Sequence, residues 1–238
     1  MLKVTSVLGI LVGAAAAQGA ITTFDNGLEG WSISGRETID AAGGNPGANL
    51  HGNLIDVFGA DIRNETNADW LGDLTRYGAF EVSVDIQVNS IAFFNGEVPR
   101  DLIVEFRDNT NTNGYPYTSV WLNIGLLRSA EIGGNGEWNT YSATILDPFS
   151  TDLPGGWGGY GDEDPNTFEP ILPADRTFTS VLQSVDSVHF TTFVPGFFYG
   201  FTNFDIQVDN LTIRSVPAPG SAALLGVAGL ATARRRRR

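Results

Sequence analysis

The chain has 238 residues, a formal net charge of −13 at pH 7 and no cysteine, which excludes disulfides and thiolate metal centres. Six of its 14 basic residues lie at the two ends, as Lys3 and Arg234 to Arg238, while all 27 acidic residues lie between Asp25 and Asp209. The body between them repels phosphate backbones, so nucleic acid is excluded as its partner.

Residues 1–19 read as a secretory signal peptide and signal helix. Lys3 gives a positive start, Val7 to Val12 an apolar run, and small residues offer cleavage after Ala17 or Gly19. Residues 20–215 form the body. Within it "FEVSVDIQV" alternates without error, with Phe80, Val82, Val84, Ile86 and Val88 on one face. That pattern predicts a half-buried strand of an antiparallel sheet. Further strands are expected over 101–107, 119–127, 140–146 and 187–194, with glycine- and asparagine-rich loops between them. One short helix is expected over 175–183, with Asp175 as its cap. Many strands, one short helix and one core predict an all-β fold, an antiparallel jelly-roll β-sandwich.

The last strand, "FDIQVDNLTI", breaks its own register. Phe204, Ile206 and Val208 are even, whereas Leu211 and Ile213 are odd. Either a residue bulges at Asp209-Asn210 or one strand ends there and another begins. Residues 216–238 close the chain with a Pro-containing tetrad, an uncharged apolar span from Ser221 to Ala233 expected to be helical, and five arginines. A stop signal of this polarity predicts a transient inner-membrane anchor with the arginines on the cytoplasmic side. The body is then exported to the cell surface or beyond.

This order of parts resembles the PEP-CTERM sorting signal. The tetrad is Val216-Pro217-Ala218-Pro219, with Ala218 where the family has Glu, and the cluster is Arg234, Arg235, Arg236, Arg237 and Arg238. The resemblance implies processing by an exosortase-type transpeptidase, in bacteria that make extracellular polysaccharide. The body, over about 24–214, resembles the laminin B domain (laminin IV type A). The resemblance rests on "FDNGLEGWSI", on Leu71-Gly72-Asp73 and Tyr77-Gly78 before an alternating strand, on Trp138 before a strand, and on "VDNLTI" at the end. It implies a non-catalytic extracellular jelly roll akin to carbohydrate-binding modules.

The sequence contains no nucleophile elbow, zinc-protease helix motif or phosphate loop, and His189 reads as a strand residue. The chain is therefore expected not to be an enzyme. Two loops, 109–121 and 155–170, concentrate aromatics among flexible polar residues. Tyr115, Tyr117, Trp157 and Tyr160 offer flat faces that match sugar rings, if the loops converge. They would otherwise pin the loops to the core. Asp25 near the first strand and Asp209 near the last supply hard oxygen ligands for a structural Ca²⁺ if those strands adjoin; solvated acids are the alternative, as for Asp162 to Asp164. Extracellular polysaccharide is the expected partner. A structural matrix component without sugar specificity and a divergent glycan hydrolase are the alternatives.

Overall fold

The computed structural model describes residues 19–110 and 114–216. In chain order the strands are β1 (Gly19–Thr22), β2 (Trp31–Ile33), β3 (Glu37–Gly44), β4 (Gly47–Val57), β5 (Asp61–Asn64), β6 (Phe80–Phe93), β7 (Gly96–Glu97), β8 (Arg100–Asp108), β9 (Thr118–Leu127) and β10 (Asn139–Ile145). There follow β11 (Trp157–Tyr160), β12 (Asp162–Glu163), β13 (Pro170–Ile171), helix α1 (Phe178–Leu182), β14 (Ser187–Thr191) and β15 (Thr202–Ser215).

Two antiparallel sheets face each other in a jelly-roll-like arrangement. One runs β10-β6-β15-β4-β3, with β1 added on β15 and β7 on β6; the other runs β11-β9-β8-β14-β5-β2. The alternation read from residues 80–88 puts Phe80, Val82, Val84 and Ile86 into the core between the sheets. Phe106, Val104, Phe190, Ile62 and Trp31 meet them from the six-stranded sheet. Trp31 and Trp70 pack edge to face at 4.9 Å beside Phe190.

The register break is a bulge within one continuous strand. Between Asp209↔Asp85 and Thr212↔Ser83, β15 advances one residue more than β6, and Asn210 takes φ +49°. The extra residue lets Phe204, Ile206 and Val208, and then Leu211 and Ile213, all reach the core.

Helix α1 is shorter than expected and is capped by Thr177, not Asp175. Thr177 Oγ1 accepts from the Ser180 N–H, and Ser180 Oγ accepts from the Thr177 N–H, so two end groups are satisfied at once.

The expected transmembrane helix, inner-membrane anchor and derived localisation are corrected here. Among the described residues no helix is long and apolar enough to cross a membrane. The α-helix there, α1, has 5 residues, against roughly 20 for a span. Residues 1–18 and 217–238, which carry most of the signal-peptide and sorting-signal expectations, lie outside the described residues.

Candidate functional site

The six-stranded sheet has a polar outer face, and its register fixes which side chains share it. One transverse row runs Gly158, Trp121, Glu105, His189, Arg63 and Ser32. The next runs Tyr160, Ser119, Arg107 and Ser187. Residues of opposite parity, Phe106 and Val104 among them, point into the core.

Tyr115, Tyr117 and Tyr160 come together on this face. The Tyr117 and Tyr160 rings lie 4.8 Å apart, and Tyr115 meets Tyr160 edge-on at 5.5 Å. All three are half-buried. Trp157 is placed apart from them. It stacks on Phe106 at 6.1 Å and meets Phe178 at 5.0 Å, against the core. Parity explains the separation: positions 157 and 160 of one strand face opposite ways.

Beneath the tyrosines sits a buried charge pair. Glu105 is fully buried, accepts from Ser119 Oγ at 2.5 Å, and receives Arg107 Nη2 at 2.6 Å and Nε at 2.9 Å. The Arg107 guanidinium lies 4.1 Å from the Tyr117 ring centre. It supplies the cation–π contact that holds that ring in place. Burial, followed by the Glu105 charge, pushes the Tyr117 hydroxyl far above its usual value, so it remains a neutral donor. Burial acts first on Tyr160 too, raising it.

Alongside, His189 Nδ1 meets Asp61 Oδ1 at 2.7 Å and Nε2 meets Ser187 Oγ at 2.9 Å. Hydroxyl, base and orienting carboxylate stand in hydrolase order. Ser187 and His189 are each only 1% exposed, however, so the hydroxyl is covered. The group ties β5 to β14. Glu105 and Arg107 were missed in the sequence. Their signal was the oppositely charged i, i+2 pair on the outer parity of β8, alternating with the apolar Leu102, Val104 and Phe106.

Asp25 and Asp209 reach the same turn, residues 44–47. A Cβ on Gly47 would stand 2.7 Å from Asp25 Oδ1, and one on Gly44 2.9 Å from Asp209 Oδ2. Asp85 joins them, accepting from Asn45 Nδ2 at 3.0 Å and Asn210 Nδ2 at 2.9 Å. All six carboxylate oxygens of the three aspartates already accept a hydrogen bond. Among the described residues no group of three or more His, Asp or Glu side chains is placed to hold a metal ion. Burial, then the charges of Asp85 and Asp25, raise the Asp209 carboxyl above its ordinary value, despite backbone donors at Asn45 and Asn210.

No family model matches the sequence, and no curated protein does. Among solved structures the chain is similar to an exo-beta-agarase, with TM-score 0.48 and 12% identity over 82% of this chain and 25% of that one. It is also similar to a family 11 carbohydrate-binding module from Clostridium thermocellum, in complex with a beta-1,3-1,4-mixed-linked tetrasaccharide. That match has TM-score 0.41 and 14% identity, over 87% and 92% of the two chains. A tandem CBM22 pair from Paenibacillus barcinonensis gives TM-score 0.45 and 13% identity, over 90% and 53%.

Proposed function

We propose that this domain binds polysaccharide without catalysis, on the outer face of the six-stranded sheet. The observation that carries this reading is the convergence of Tyr115, Tyr117 and Tyr160 beside Arg107. Sugar rings present apolar C–H faces rimmed by hydroxyls, and tyrosine offers a matching flat face with a polar tip. The buried Glu105–Arg107 pair fixes the platform before a ligand arrives, which lowers the ordering cost of binding. Retention on insoluble polysaccharides tests this. Tyr117→Ala and Tyr160→Ala should each lower affinity about tenfold while leaving the fold intact by circular dichroism. Equal retention of wild type and both variants on every polysaccharide would sink it.

A structural Ca²⁺ at the 44–47 turn is proposed separately. Supporting it, the donors are hard oxygens, and no Arg or His pairs with Asp25, Asp85 or Asp209 among the described ion pairs. A bound cation would relieve the cost of charging Asp209. Millimolar Ca²⁺ should raise the melting temperature of wild type and leave Asp209→Asn unmoved. Identical melting in Ca²⁺ and in chelator would end the idea.

A further inference from the structure

A groove of about 620 Å³ opens at the end of the seven-stranded sheet, where β4 and β6 finish and β15 begins. Its walls are Phe93, Phe94 and Phe201, its polar lining is Asp56 and Asn203, and Ala92 and Gly200 complete it. Phe94 is 83% exposed and Phe201 56%. Water-facing phenylalanines on this scale mark an interaction site.

The groove is built, not left over. Phe201 stacks on Phe58 at 4.3 Å, and Phe94 packs edge-on to Phe93 at 4.5 Å. Gly200 makes room: a Cβ there would stand 2.5 Å from the Phe93 ring. Asp56 and Phe94 both sit in the left-handed region, at φ +52° and +53°. Non-glycine residues held in this way cost energy and collect at ligand clamps.

The chemistry of the lining selects the occupant. Asn203 Oδ1 accepts from the Asp56 N–H at 2.8 Å, which turns the amide NH₂ and the Asp56 carboxylate to opposite duties, donor and acceptor. The lining holds a carboxylate and no cation, so anionic ligands are disfavoured. A concave site of this volume suits a small molecule or a chain end. From apolar ring faces beside one donor and one acceptor, we infer that this groove is a second glycan site, taking a neutral pyranose chain. The ring stacks on Phe94 and Phe201, and its hydroxyls bond Asp56 and Asn203. The site does not need the tyrosine face.

Titration calorimetry of the full chain with cellohexaose, xylohexaose, mannohexaose and laminarihexaose tests it. Phe94→Ala and Phe201→Ala should each weaken one binding event about tenfold. Asp56→Asn, which tolerates the left-handed backbone, should weaken the same event without altering the melt. Tyr117→Ala should affect a separate event. An effect of Tyr117→Ala alone would overturn the groove and keep the tyrosine face; an effect of Phe94→Ala alone would do the reverse. No binding of any oligosaccharide by wild type would overturn the groove site. So would a wild-type dimer that Phe94→Ala turns into a monomer with glycan binding unchanged.

Discussion

Glu105 shows how one side chain can matter more to this fold than its charge suggests. It is fully buried and bound by Arg107 and Ser119. Glu105→Ala would leave a mostly buried guanidinium without its partner, a loss of about 3–5 kcal/mol in urea unfolding. Glu105→Gln, which keeps an acceptor, should cost about 1–3 kcal/mol. Asp61 makes a different prediction. Burial alone would raise its carboxyl, but the hydrogen bond from His189 and the charges of His189, Arg107 and Arg63 together hold it below the usual value. Its stabilisation is complete above the ordinary carboxylate range, near pH 4, and drains away as pH falls through the lowered folded value. Melting scans from neutral pH downward should show an acid limb that flattens in Asp61→Asn. Asp209, raised rather than lowered, acts in the opposite sense and at higher pH, between the ordinary carboxylate value and its raised folded one, so the two variants separate the effects.

At the scale of elements, the close contacts make the sharpest predictions. Gly158 lies beneath the Trp121 indole, where a Cβ would stand 2.3 Å from the ring. Gly158→Ala should therefore push Trp121 outward and lower stability by about 1–3 kcal/mol, with a change in tryptophan fluorescence as the readout. Strands with clean alternation were legible in the sequence: β6, β8, β9, β10 and β14 fall where periodicity put them, and the bulge in β15 was visible as a change of parity. The hairpin of β3 and β4 was not. Its inward positions are Ala48, Leu50, Gly52 and Leu54, and the glycine breaks the apolar pattern. In space that slot is filled by Ile33, which approaches within 3.1 Å of where a Gly52 Cβ would be. A side chain borrowed from another strand leaves no local trace. The same holds for the site. The aromatic loops announced themselves, but the inward turn of Trp157 and the gathering of Phe94 with Phe201 depend on partners far away in sequence. The helix cap was misplaced by two residues because Asp175 and Thr177 both qualify, and only the reciprocal bond with Ser180 decides between them.

For the whole molecule, the dominant long-range force after burial is self-repulsion. A net charge of −13 resists compaction, and salt screens it. Raising ionic strength from about 0.01 M to about 1 M shortens the screening length from roughly 30 to 3 Å, so the melting temperature should rise with sodium chloride. A flat response would show that the acids are already neutralised. The position of β15 has a further consequence. It lies between β6 and β4, and its end also receives β1, so three strands of the larger sheet meet on one late segment of chain. On a ribosome adding about 5–20 residues per second, β4 and β6 wait roughly five to thirty seconds, each with a bare edge, before their keystone emerges. The nascent chain, more than the finished fold, is then the stage at which this protein is most exposed to aggregation and most in need of a chaperone.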